Sequence, residues 1–109
     1  MGPRRRRVVW SEGATRELDE ATEYVAQDSL QSAINVLERL LDAAESLADL
    51  PDRGRTVAER DEPGVRELLV DPYRLIYSAG DSEVVILGVL HQRRDFDRWG
   101  RTGSASDAL

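Results

Sequence analysis

The side chains best able to act on a ligand gather late in the chain. His91, Arg93, Arg94 and Asp95 follow directly on an apolar run, with Phe96 and Trp99 just beyond. His91 is the only histidine. Imidazole is the side chain that changes charge near neutral pH, so His91 is the candidate proton donor or acceptor of any hydrolytic site. A guanidinium presents a planar fork to a phosphate or carboxylate, which makes Arg93 and Arg94 candidate anion-binding groups. Arg66 and Arg74 fall on two adjoining strand-like runs, and Arg53, Arg55 and Arg60 on the stretch before them. All 15 cationic side chains are arginines, so no lysine amine is available as a general base.

Each of these residues also has a plainer role. Arg74 can pair across strands with Glu67. One of Arg93 and Arg94 is expected to pair internally, with Asp95, Asp97 or Glu67, and the other to stay available. His91 can end a strand by bonding a backbone carbonyl. Tyr73 and Tyr77 read as core packing. Glu17, Asp19, Glu20 and Glu23 read as a solvated helix face.

Composition removes several classes of function. The 109 residues suffice for one domain and one core. The absence of cysteine excludes disulfides, thiolate metal sites and a thiol nucleophile. No Gly-rich phosphate loop, metal-binding spacing or cofactor motif is present, so neither a metal nor a cofactor is expected. No apolar run approaches the roughly 20 residues of a membrane span. The start, MGPRRRRVVW, lacks the apolar segment of a secretory signal, so a cytoplasmic location is expected. The net charge of −6 speaks against a protein held to nucleic acid mainly by phosphate contacts. The acidity is uneven. Residues 11–49 set ten carboxylates against Arg16 and Arg39, whereas residues 51–99 set ten against eight arginines.

The elements that must position these groups follow from periodicity. Residues 1–6 read as a flexible basic arm, and residues 7–10 (RVVW) as a first strand. Ser11 caps a helix over 12–27, with Ala14, Leu18, Ala21 and Val25 at helical spacing. Asp28 is the expected cap of a second helix, whose apolar stripe from Leu30 to Ala48 runs until Pro51 ends it. The two helices should fold back on one another. Residues 51–64 are rich in proline, glycine and charge and read as a long loop. Three strands follow, at 65–70, 73–78 and 83–90, turned at Asp71-Pro72 and at residues 79–82. The last is apolar almost throughout, as a central strand would be, and Gly88 within it marks a bulge or a close backbone approach. A two-residue turn at Asp71-Pro72 puts Leu68, Val70, Tyr73, Leu75 and Tyr77 under the helices. Glu67, Leu69, Arg74 and Ile76 then face the other way. Residues 100–109 read as a disordered tail.

This order, together with RELLVDPYRLIY (66–77), EVVILGVLH (83–91) and HQRRDF (91–96), resembles the RelE/ParE superfamily of type II toxin–antitoxin toxins. The Gly54-Arg55 pair and the helix start after Trp10 are also similar. The resemblance spans about residues 7–99 and implies one α+β domain, a β-α-α-β-β-β fold with an antiparallel helix hairpin on a small, mainly antiparallel sheet. It implies a cognate antitoxin as partner, a toxin–antitoxin hetero-oligomer, and no membrane. The wording VLHQRRDF is closer to the ParE branch, whose members poison DNA gyrase, than to the RelE branch, whose members cut mRNA on the ribosome. On the ParE-like reading, Arg55, Arg66, Arg74, Arg93, Arg94, Phe96 and Trp99 would meet the target or the antitoxin. On the RelE-like reading, His91, Arg74 and Arg94 would be catalytic. A non-toxic member that only binds its antitoxin and regulates its operon is the third alternative.

Overall fold

A computed structural model describes residues 5–57 and 64–93. Its elements are β1 (Arg7–Trp10), α1 (Glu12–Ala26), α2 (Leu30–Ser46), β2 (Arg55–Thr56), β3 (Val65–Val70), β4 (Tyr73–Ala79) and β5 (Glu83–His91). The strands form one sheet in the order β1-β5-β4-β3-β2. β1 runs parallel to β5, and the other pairs are antiparallel. The apolar β5 is thus interior to the sheet, as its composition requires. The architecture is the α+β arrangement expected from the sequence.

The helices begin where local chemistry allows. The Ser11 hydroxyl accepts the Ala14 amide at 3.0 Å and opens α1. Asp28 does not cap α2. Its own amide closes the last turn of α1 on the Val25 carbonyl, and Ser29, extended at φ −158°, takes the cap and accepts the Ser32 amide. α2 stops at Ser46, short of the expected residue 49. The Leu47 and Ala48 amides bond three residues back, to Ala44 and Glu45, so the chain tightens before Pro51 is reached.

The Val70↔Tyr73 register sets the sheet's faces as the turn demanded. Leu68, Tyr73, Leu75 and Tyr77 pack with Ala14, Leu18, Leu40, Ala44 and Leu47 in the main core. Ile76 joins Val57, Val65 and Leu90 in a smaller cluster. Gly88 marks both a bulge and a close approach. Ile76 pairs Gly88 but Tyr77 pairs Ile86, leaving Leu87 unopposed. Glu17 reaches across from α1 and accepts the Val89 amide at 3.0 Å. A Cβ on Gly88 would come 3.2 Å from that carboxylate. Glu17 is therefore no part of the solvated face expected of it; it satisfies backbone that the bulge disturbs.

Residues 51–64 are not wholly loop, because Arg55–Thr56 adds to β3 as a short edge strand. Two residues carry no alternation to detect; a tertiary contact places them instead. The buried Tyr77 hydroxyl accepts the Gly54 amide and donates to the Pro51 carbonyl, each at 2.8 Å. Only glycine fits at residue 54, since a Cβ would lie 2.6 Å from both the Glu67 carbonyl oxygen and the Tyr77 hydroxyl. At the other end of the chain, the basic run read as an arm makes fixed contacts from residue 5 onward. Arg5 pairs with Glu45 and Asp49, and the Arg6 amide and Nε bond the carbonyls of Ala48 and Gly80.

Two outcomes follow from the Tyr77 anchor. Burial pushes the Tyr77 phenol above its ordinary value of 10.0, with the hydrogen bond from Gly54 opposing it. The folded state thus holds this proton to higher pH than the unfolded chain does. The resulting stability is complete below about pH 10 and lost as pH rises beyond it. Tyr77→Phe should remove that alkaline loss and cost about 1–3 kcal/mol at neutral pH, read by denaturant unfolding at both pH values. Gly54→Ala should lower the melting temperature by several degrees or abolish folding, whereas Gly13→Ala, whose Cβ would meet only the end of the Arg16 side chain at 3.8 Å, should leave it unchanged or raise it.

Candidate functional site

On the face of the sheet away from the helices, one buried carboxylate organises two arginines. Glu67 is 6% exposed. Its Oε1 accepts Arg55 Nε at 2.8 Å, and its Oε2 accepts Arg74 Nη1 at 3.1 Å. Alternation puts Glu67 on this face. The diagonal offset from β4 brings Arg74 to it, and the β2 register sets Arg55 directly opposite. Burying a carboxylate is unfavourable unless cations and donors surround it, and here two guanidiniums do. The two arginines differ in access: the Arg55 side chain is 75% exposed and that of Arg74 only 17%.

The other candidates are distributed differently. Arg66 lies on the helix-side pleat, where Nη1 donates to the Gly54 carbonyl at 2.8 Å and Nη2 stands 3.6 Å from Asp52. His91 ends β5 opposite Tyr73, their rings edge to face with centroids 5.4 Å apart. Its Nδ1 accepts the Arg93 amide at 3.2 Å. Gln92 ties this corner to the β3–β4 turn through the Pro72 carbonyl and the Asp71 carboxylate. The Arg93 side chain is exposed. The structure therefore brings Arg55 and Arg74 together. It leaves Arg66 on the opposite pleat and gathers His91 and Arg93 at the turn corner. Arg60, Arg94, Asp95, Phe96 and Trp99 lie outside the described residues.

A second feature lies at the outer edge of the sheet. Among the described residues β2 pairs only with Arg66 and Glu67 of β3, and Leu68–Val70 have no outer strand partner. They border a cleft of about 360 Å³ with Arg39 and Asp42 of α2 and with Arg53. Arg39 donates to the Asp71 carbonyl and Arg53 to the Ser46 hydroxyl, each at 2.7 Å. Leu69, on the face away from the helices, is 58% exposed. The available signal in the sequence was Arg39, a rare cation in the acidic helical half. Elsewhere, an apolar groove of about 230 Å³ runs between α1 and α2, bordered by Ala26, Leu30 and Ile34. Among the described residues no cluster of potential metal ligands occurs, and no helix is long and apolar enough to cross a membrane.

Residues 8–96 match the family described as the ParE toxin of the type II toxin–antitoxin system parDE. The chain is 36% identical over 88 residues to Toxin RelE2 of Caulobacter vibrioides, covering 80% of this chain and 96% of that protein. It is 33% identical over 98 residues to Putative toxin Y4kP of Sinorhizobium fredii, covering 84% of this chain and 94% of that one. In fold it is similar to a chain of the chromosomal ParDE toxin–antitoxin system from P. aeruginosa, with a TM-score of 0.66 and 20% identity over 81% of this chain and 97% of that one. It is also similar to a chain of the toxin–antitoxin complex RelBE2 from Mycobacterium tuberculosis, with a TM-score of 0.59 and 22% identity over 80% and 91%. With the family's pattern matched over nearly all of its described residues, this chain belongs to the ParE toxin family of type II toxin–antitoxin systems.

Proposed function

We propose that this toxin acts by binding, in the ParE manner on DNA gyrase, and is neutralised by a cognate antitoxin protein. The observation that supports this over RNA cleavage is the state of Arg74. Stabilising a developing phosphorane requires cationic donors aimed at the phosphate. Arg74, the Tyr-Arg arginine of the family pattern, is instead shielded from solvent and turned onto the buried Glu67 carboxylate. A carboxylate in that position holds the guanidinium and lowers the positive charge that an incoming phosphate would meet. The opposite pleat holds Arg66 against Gly54 and Asp52, and His91 stands at a different corner of the sheet. Acid, base and charge stabiliser are thus not gathered round one point among the described residues. The names of the two structural neighbours, each a toxin–antitoxin system or complex, support an antitoxin as this chain's partner. A chain with no lysine and a net charge of −6 is also poorly suited to holding mRNA mainly through phosphate contacts.

The purified chain should inhibit supercoiling by gyrase or trap its cleaved DNA complex, and induced cells should show no codon-register cuts in mRNA by primer extension. Cuts in the absence of any gyrase effect would replace this reading with the ribonuclease one. His91→Ala offers an independent check. Loss of a general acid–base group lowers a cleavage rate by about 10²–10⁴-fold, whereas a toxin that works by binding should arrest growth within a few-fold of the parent chain.

A further inference from the structure

We infer that Arg55 is the residue through which this toxin grips its protein target, by way of a carboxylate on that target, and that the buried Glu67 is the positioning residue that aims it. This rests on the reading of the chain as a toxin that acts by binding on gyrase. It adds which side chain makes the contact and what chemistry it meets. The asymmetry of the ion trio points there. Glu67 gives Oε2 to Arg74, which is shielded, and Oε1 to Nε of Arg55, which projects into solvent. Among the described residues Nη1 and Nη2 of Arg55 have no partner. Arg5 and Arg7 are also exposed and paired, but with carboxylates that are themselves in solvent. Among the described ion pairs, only that of Arg55 joins an exposed guanidinium to a buried acid.

An arginine free in solvent samples many rotamers, and a partner that fixes it loses affinity in doing so. Here the bond to Nε holds the side chain before any partner arrives. The backbone beneath it is fixed as well. Gly54, the preceding residue, donates to the Tyr77 hydroxyl, and Arg55 lies directly opposite Glu67 in the β2–β3 register. What remains for a ligand is the outer Nη edge, a planar fork that matches the two oxygens of a carboxylate. Preorganised arginines of this kind dominate the energetics of protein interfaces. The neighbouring side chain selects a protein over a nucleic acid. Leu69 follows Glu67 on the same face of β3, about 7 Å along the strand. It is largely exposed. A guanidinium beside an apolar side chain suits a carboxylate beside an apolar side chain, which a protein surface offers and a phosphate backbone does not. The net charge of −6 further opposes a phosphate chain.

Inhibition of gyrase supercoiling by the purified full chain tests the assignment, with the melting temperature of each variant as the control for folding. Arg55→Gln should raise the concentration needed for inhibition by about ten-fold or more. Arg55→Lys should not restore it, because an ammonium keeps the charge and loses the fork. Glu67→Gln should weaken inhibition several-fold while Arg55 is present, and no further once Arg55→Gln is in place, since its effect runs through that side chain. Glu67→Asp, which keeps a buried carboxylate and shortens its reach, serves the same comparison where Glu67→Gln does not fold. Binding to gyrase without DNA should fall in step with inhibition. A deficit confined to the DNA-bound enzyme assigns the fork to a phosphate and overturns the inference. Unchanged inhibition by Arg55→Gln, full inhibition by Arg55→Lys, or equal losses from the Glu67 variant in both backgrounds also overturn it, and leave the proposed function standing. A parent chain without effect on gyrase removes that function itself.

Discussion

A carboxylate taken out of water must find cations or donors close by, and Glu67 shows how far that requirement reaches in a small protein. It is 6% exposed on the helix-free face of the sheet, so its partners have to come from neighbouring strands. Arg74 arrives from β4 on one side and Arg55 from β2 on the other. The second contact is possible only because the chain before β2 is already anchored. Tyr77 crosses from the core side to hold Gly54, and glycine at 54 lets the backbone pass within touching distance of β3. Aromatic anchor, glycine and buried ion trio are thus one construction, seen from two faces of the same sheet. Such a trio is not needed for stability in general, since apolar replacements of buried ion networks are often neutral or better. What it provides here is placement: one guanidinium is retired inward, and the other is displayed at the edge.

Much of this was legible in the residues. The alternation of VRELLV and YRLIYS about a two-residue turn determined the register, and the register determined which side of the sheet met the helices. β5 declared its interior position by being apolar on both faces, and Gly88 declared the bulge. The misreadings share a cause. β2 is too short for any period, and what makes it a strand is a hydroxyl 23 residues away in sequence. Glu17 was indistinguishable by local pattern from the solvated carboxylates beside it, because its partner is an amide 72 residues distant. Asp28 and Ser29 are both good caps, and the choice between them lay in how tightly α1 closed. At the site, the Arg74–Glu67 pairing was readable as a cross-strand possibility. The Arg39–Arg53 cleft was not, since it needs the angle at which α2 leaves the sheet.

The distribution of charge gives the molecule two unlike surfaces. Carboxylates dominate the helices, and the groove there is bordered by exposed leucine and isoleucine. Exposed guanidiniums include Arg55 at the β2 edge and Arg39 and Arg53 beside the cleft. Arg5 and Arg6 bind the chain's basic start to the end of α2 and to the β4–β5 turn, so part of the positive charge in the sequence is absorbed in closing the fold. Among the described residues most arginines are exposed, so their positions and partners carry more information than their number.

A chain of net charge −6 repels an acidic partner as a whole, yet distance separates that repulsion from local attraction at a guanidinium. At physiological ionic strength the field of a surface charge decays over about 8 Å. A partner that meets the exposed Arg55 side chain feels it at contact, while carboxylates farther off along the helices are screened from it. Repulsion from the whole molecule then acts mainly on the rate of encounter, and the local forks act on the lifetime of the complex. The same division bears on nucleic acid. A phosphate chain held by charge would need many contacts spread along a groove, which a net charge of −6 does not favour. Such a composition suits a ligand met at a few fixed guanidiniums better than one held by summed charge.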